Sequence, residues 1–266
     1  MTSSRPSEVH TPVTIVVPCF NEETGLVHLH RNLSAARSFL GQKYRLHFIL
    51  VDDGSTDNTW KFIGELFGND RDVTVLRHAA NRGIGAAILT GIREARTEIV
   101  CSIDSDCSYD PRELAKMIPL LIPGIDLVTA SPYHPQGQVL NVSVWRLFLS
   151  KTASRLYRLV LKQKLYTYTS CFRVYRRCAI LKLDMKRERF LAVAELIAKL
   201  DLHGSVVIEC PSRLSSRVYG ASKMKVVRSV FGHLQLLCEL AIHGTWQAVR
   251  LRRTRLHSTT VVGLEG

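Results

Sequence analysis

The chain lacks paired cysteines, long apolar runs and, over one stretch of its second half, acids. Its seven cysteines, Cys19, Cys101, Cys107, Cys171, Cys178, Cys210 and Cys238, are odd in number and none stand at CxxC spacing. That argues against a disulfide framework and against a structural zinc centre. The usage predicts a reducing cytoplasm. No run reaches the roughly 18 apolar residues that a membrane-spanning helix needs. The opening MTSSRPSEVHTP is polar, without the apolar core of a signal peptide. These absences predict no transmembrane helix and no secretion. A GxxxxGK(S/T) phosphate loop is missing too. The segment NRGIGAA has Gly83 and Gly85 but no third glycine, and it follows the third strand-like run rather than the first, so it is a poor dinucleotide fingerprint.

What the chain has is length, apolar content and basic charge. At 266 residues and 46% apolar content it can bury a full core as one large domain, or as a domain with an appendage. Its net charge is +13 and is unevenly spread. From Trp145 to Arg189, thirteen Lys and Arg stand against two acids, Asp184 and Glu188, and Arg250, Arg252, Arg253 and Arg255 form a second cluster. Basic surfaces attract nucleic acid, anionic membranes or phosphorylated substrates. No RNA-binding motif is recognisable and the acids gather elsewhere, which argues against nucleic acid.

The first half alternates between two periods. VTIVVP (13–18), RLHFILVDDG (45–54), VTVLRH (73–78) and EIVCSID (98–104) read as buried strands. Between them lie helical patterns, the second opening with the cap-forming residues STDNT. Strands alternating with helices of this length imply an α/β fold with a mostly parallel, doubly wound sheet. Ligands in such sheets sit beyond the carboxyl ends of the strands. There the chain places Pro18 to Glu22, Asp52 and Asp53, Asn81 to Gly83, and Asp104-Ser105-Asp106.

Asp104 and Asp106 are two apart, so an extended backbone turns both carboxylates to one side. Like charges so close repel unless something neutralises them. A hard cation does so, and Mg²⁺ typically takes one or two carboxylates plus substrate phosphates. The same aspartates could instead cap a turn, with Asp110 beside them.

Four segments in this order and spacing weigh toward the first reading: VVPCFNEE (16–23), LVDDGSTDNT (50–59), NRGIGAA (81–87) and IDSDCSYDP (103–111). Together they resemble the family 2 inverting glycosyltransferases of GT-A fold. YTSCFRVYRR (168–177) and RVYGASKMK (217–225) are similar to the TSGFR-x-Y and R-x-x-G-x-SK segments of the polyprenyl-phosphate sugar synthases, such as dolichol-phosphate mannosyltransferases. The resemblance implies a nucleotide-sugar donor, a Mg²⁺ or Mn²⁺ cofactor and a polyprenyl phosphate acceptor. By it, Pro18, Phe20, Glu22 and Asp52 line the base and ribose pocket, with Asn81 and Gly83 near the nucleotide. Asp104, Asp106 and Ser108 form the metal site. Arg173, Arg217 and Lys223 hold phosphates and, with the two aspartates, make up the catalytic set. The chain departs from the group's pattern at three places. Ser108 stands where Gln is usual, Pro132 where Arg is usual, and Cys171 where Gly is usual.

A lipid phosphate has a second pKa near ~6 and is largely ionised at neutral pH, so its attack needs positive charge rather than a base. A hydroxyl acceptor needs a base, and Glu195 in FLAVAELIAKL is the best candidate for one. Both acceptors stay open at this point. The segment 142–164 sets Trp145, Phe148, Leu149 and Leu156 among Arg146, Lys151, Arg155 and Arg158. Such basic amphipathic helices lie in membrane interfaces or pack on a sheet. The organisation expected is a disordered tail over 1–12 and a GT-A domain over 13–225. An amphipathic helix over 226–250 and a basic tail over 251–266 follow. Contact with the inner membrane face is expected to be peripheral.

Overall fold

The computed structural model of the chain describes residues 10–216 and 230–242. Its centre is β1 (Thr11–Cys19), which pairs in parallel with β2 (Tyr44–Asp52) on one side and β4 (Ile99–Ser102) on the other. From Val13 to Cys19 every residue of β1 is buried. A strand covered on both faces reads as an unbroken apolar run rather than an alternating one, which is why VTIVVPC has no polar period. The pleat still sorts the residues. Val16, Val100 and Tyr175 belong to the core on one face, and Ile15, Val17, Cys101 and Val174 to the core on the other.

The seven-stranded sheet runs β3-β2-β1-β4-β7-β5-β8, with β3 at Val73–Arg77, β5 at Leu127–Ser131, β7 at Arg173–Arg176 and β8 at Val207–Pro211. All neighbours are parallel except around β7, which is antiparallel to both β4 and β5. A parallel pair, β6 (Gln138–Leu140) and β9 (Arg213–Ser215), forms a second small sheet. The α/β, mostly parallel expectation holds, with one reversed strand inserted.

Helices cover both faces. α1 (Leu26–Leu40) buries Leu26, Leu29, Leu33, Ala36 and Leu40, and α2 (Thr59–Phe67) buries Thr59, Ile63 and Phe67. These are the three- and four-residue spacings of one helix face. The opposite layer holds α3 (Ile84–Glu94), α5 (Val144–Val160), the short α6 (Arg177–Leu181) and α7 (Leu191–Leu202). The four-residue α4 (Leu114–Met117) is flanked by 3₁₀ turns. Each fully buried Val, Leu or Ile contributes about 1.5–3 kcal/mol. A last helical stretch, 230–242, docks through buried Leu236, Leu237 and Leu240. It falls within the expected helix 226–250. Among the described residues, no helix is long and apolar enough to cross a membrane.

Candidate active site at the carboxyl edge

The loops after β1 and β2 are stitched together by short side chains. The Asn21 amide donates to Ser55 Oγ at 2.9 Å, and the Thr56 amide donates to Asn21 Oδ1 at 2.8 Å. The Glu22 amide reaches Thr59 Oγ1 at 2.7 Å, and Glu23 Oε2 accepts from the Asn58 amide at 3.0 Å. Asn21 has a left-handed φ of 51°, a conformation Asn tolerates better than most residues. Pro18 is buried and pairs in register with Val51, while Phe20 and Glu22 are half-buried just beyond it. Asp52 is fully buried, with Arg77 Nε 3.0 Å from its Oδ2.

The neighbouring Asp53 organises the next loop. Its Oδ1 accepts from His78 Nδ1 at 2.7 Å and from the Arg82 amide at 3.0 Å. Its Oδ2 accepts from Asn81 Nδ2 at 2.9 Å and from the Gly83 amide at 2.6 Å. His78 Nε2 in turn meets Thr90 Oγ1 of α3 at 3.0 Å. One buried carboxylate therefore shapes Asn81-Arg82-Gly83. Gly83 takes φ 105°, where a side chain would be strained. Sequence reasoning passed over Asp53. The signal was present, because consecutive residues on a strand face opposite ways. Two adjacent aspartates leaving β2 could not share one role.

Asp104, Ser105 and Asp106 follow β4, all half-buried. Asp106 Oδ1 accepts from both the amide and the hydroxyl of Ser108, at 2.9 and 2.6 Å. Ser108 thus orients Asp106, and its own carbonyl accepts from the Ser215 amide of β9 at 2.9 Å. Cys107 between them takes φ 51°. Its thiol is pushed up to about 12, first by burial, then by the charges of Asp106, Asp104 and Asp110. The Cys171 thiol, raised mainly by burial and next by Asp104, hydrogen-bonds Asp104. The polar side chains of Asp104, Asp106 and Ser108 offer carboxylate and hydroxyl oxygens to a cation, a hard set that suits Mg²⁺ or Mn²⁺. Asp110 serves the backbone instead. It accepts from the Arg112 amide at 2.9 Å, capping the first 3₁₀ turn, and pairs with the Arg112 side chain. Among the described residues no group of three or more His, Cys, Asp or Glu gathers around a metal-sized space.

Two residues expected at the reaction centre are buried. The resemblance puts Arg173 against phosphate. Its backbone pairs with Ser102 and Thr129, but its side chain is 1% exposed. It donates to the carbonyls of Val193 at 2.8 Å and Tyr168 at 3.0 Å, leaving a buried Nε without a hydrogen bond. Glu195, the candidate base, is also 1% exposed. It accepts from the amides of Lys186 at 3.2 Å and Arg187 at 2.8 Å and lies within 4 Å of Arg187 and Lys199. Arg217 and Lys223 lie outside the described residues.

α5 meets the same edge. Ser150 Oγ and Thr169 Oγ1 share a hydrogen bond of 2.7 Å, and Lys151 Nζ sits 5.4 Å from the ring centroid of Tyr133, just past β5. Toward solvent the helix presents Val144, Trp145, Phe148 and Leu159, each more than half exposed, with Trp145 and Phe148 stacked at 5.8 Å.

A sheet ordered this way, with an Asp-x-Asp pair after the fourth strand and a buried acid after the second, defines a GT-A glycosyltransferase. The solved structures agree on the fold. Glucosyl-3-phosphoglycerate synthase from Mycobacterium tuberculosis, in complex with Mn²⁺, uridine diphosphate and glucosyl-3-phosphoglycerate, matches with a TM-score of 0.64. It is 18% identical, over 90% of this chain and 87% of its own. The mannosyltransferase PcManGT from Pyrobaculum calidifontis, in complex with GDP-Man and Mn²⁺, reaches 0.56 at 18% identity over 99% and 84%. By sequence, residues 14–183 match Glycosyl transferase family 2, and the chain belongs to that family. It is 31% identical to polyprenol monophosphomannose synthase of Mycolicibacterium smegmatis, over 79% of this chain and 80% of the relative. It is 27% identical to dolichol-phosphate mannosyltransferase of Pyrococcus furiosus, over 96% and 69%.

Proposed function

We propose that this glycosyltransferase moves a sugar from a nucleoside-diphosphate donor to a polyprenyl phosphate, with inversion, at the cytosolic face of a membrane. The observation that carries this reading is a juxtaposition. A carboxylate pair, Asp104 and Asp106, lies at the same sheet edge as the basic, aromatic helix α5.

On the donor side, Phe20 and Glu22 line the base and ribose pocket, with the buried Pro18 and Asp52 shaping it from within, and the loop of Asn81 and Gly83 lies beside the nucleotide. Asp104 and Asp106, the latter oriented by Ser108, hold the Mg²⁺ or Mn²⁺ ion. Bound there, such an ion would supply positive charge against a leaving diphosphate. With two carboxylates from the protein, phosphate oxygens and water would complete the coordination of such a cation.

On the acceptor side, an ionised phosphate needs holding and orienting rather than deprotonation. Lys151 and Arg146 of α5, with Arg217 and Lys223, are the cations that do so. Arg173 contributes its charge from beneath the edge without touching the phosphate. Glu195 is poorly placed to take a proton from a hydroxyl acceptor, because its buried carboxylate is already engaged by two amides and two cations. Trp145 and Phe148, with the basic residues beside them, suit the headgroup layer of an anionic leaflet. The three departures from the group's pattern make the sugar a matter for assay. Purified protein is incubated with Mn²⁺ or Mg²⁺, a polyprenyl phosphate, and labelled GDP-mannose, UDP-glucose or UDP-GlcNAc. Metal-dependent label in the organic extract is the expected result and names the sugar. Nucleotide-sugar binding without lipid product would overturn the acceptor.

A further inference from the structure

We propose that residues 184–190, the segment between α6 and α7, form a strap that positions the loop Asn81–Gly85 and passes on to it the docking of the helical stretch 230–242. Reading that loop as the donor side rests on the function proposed above. The strap itself rests on contacts.

At one end the strap is packed against the loop with no room to spare. The Glu188 carbonyl accepts from the Ala86 amide at 2.6 Å. A Cβ on Gly83 would stand 2.6 Å from Arg189 Cα, and one on Gly85 would stand 2.3 Å from Ala192 Cβ. Glu188 also pairs with Arg82, and Arg189 Nη1 reaches Asn81 Oδ1 at 3.5 Å. The adjacent residue, Arg187, donates twice to Glu239 of the helical stretch, at 2.8 and 3.0 Å, in a bidentate ion pair. The buried carboxylate of Glu195 fixes the strap at the same place, through the amides of Lys186 and Arg187. Gly232 rests against Leu191 at the start of α7, and His233 Nδ1 meets Tyr157 of α5 at 2.8 Å. The helical stretch and the donor loop are therefore joined through Arg187, Glu188 and Arg189, while α5 and α7 touch the helical stretch directly. Glu188, Glu195 and Glu239 act as positioning residues: they set the shape of the loop without touching the donor.

The test pairs a readout of the loop with one of the ligand, at a temperature well below unfolding. Hydrogen–deuterium exchange is followed for the peptides covering 81–87 and 230–242. Binding of GDP and of UDP with Mn²⁺ is titrated on the same samples. In Glu239→Gln, exchange is expected to rise in both peptides, and the nucleotide Kd to rise about threefold, the scale of one partly exposed ion pair. Arg82→Glu and Glu188→Arg should each weaken binding similarly, and the double swap should restore it. A merely structural role would lower the melting temperature and leave Kd unmoved. The proposal is overturned if 230–242 loosens in Glu239→Gln while 81–87 and Kd stay as in the wild type, or if the swap restores nothing. Faster exchange at 81–87 in a protein that binds neither nucleotide would keep the strap and remove the donor reading.

Discussion

Asp53 and Asp106 are both acids of the carboxyl edge, and they fail differently when changed. Asp53 is buried and accepts four hydrogen bonds from three neighbouring residues and His78. Leaving a buried donor unpaired costs about 1–3 kcal/mol. Asp53→Ala strands several at once and should lower stability by roughly 3 kcal/mol or more, read as a drop in the denaturant midpoint at unchanged m. Asp106 is half-buried, Asn keeps an Oδ1 that can accept from Ser108, and the turn is also held by the Cys107 amide on the Asp104 carbonyl, so Asp106→Asn should fold normally. If it holds the cation, transfer falls by about a hundredfold or more, since metal stabilisation is worth several kcal/mol. Nucleotide binding should also lose its metal dependence; an unaltered turnover would remove the metal role. The Asp-x-Asp pair was legible in sequence because spacing alone puts both carboxylates on one side. The burial of Arg173 and Glu195 was not. Each is decided by partners from distant segments: Val193 closes over Arg173, and the turn at Lys186–Arg187 closes over Glu195. No local pattern encodes such a closure.

Among the elements, the first four strands and three helices were legible because each carries its own period and the connections are short. β7 was seen as a motif and not as a reversed strand. Four residues, RVYR, carry no sign of direction; that is set by where β4 and β5 leave a gap. The helical stretch 230–242 offers a measurable weakness. Burial lowers the His233 pKa from its ordinary value of 6.5 to about 4, and its Nδ1 is bonded to Tyr157, whose surroundings include Arg187 and Glu195. The unfolded chain takes up this proton near pH 6.5, whereas the folded chain resists until about pH 4. The contribution of His233 is thus intact above about pH 7 and is lost as pH falls from 6.5 toward 4, by roughly 3 kcal/mol in all. Wild type minus His233→Gln isolates it from the carboxylates that titrate in the same range. The stability difference should shrink on acidification, with exchange in 230–242 rising first; a difference constant with pH would contradict this.

At the scale of the molecule, basic charge and exposed aromatic rings coincide on α5. The candidate site acids Asp104 and Asp106 sit at the carboxyl edge, while α5 and its surroundings carry much of the net +13. Trp145 and Phe148 are 60% and 58% exposed, an arrangement with a large apolar area still in water. Two forces should therefore act on binding to a membrane, and they can be separated. Attraction to anionic lipid is worth about 1 kcal/mol per Lys or Arg near the surface. It is screened as the Debye length shrinks from about 10 Å at 0.1 M salt to about 3 Å at 1 M. Burial of the two aromatic rings is insensitive to salt, and removing them should cost about tenfold in partitioning for each ring, since full burial of such a side chain is worth about 1.5–3 kcal/mol. Co-sedimentation with vesicles should then give three results. Binding to anionic vesicles should exceed binding to zwitterionic ones at low salt. High salt should remove the excess. Trp145→Ser with Phe148→Ser should weaken binding to both kinds of vesicle by a similar factor at every salt concentration. If the double variant binds as the wild type does, the exposed face of α5 packs against something other than a bilayer, and the acceptor must reach the carboxyl edge by another side of the molecule.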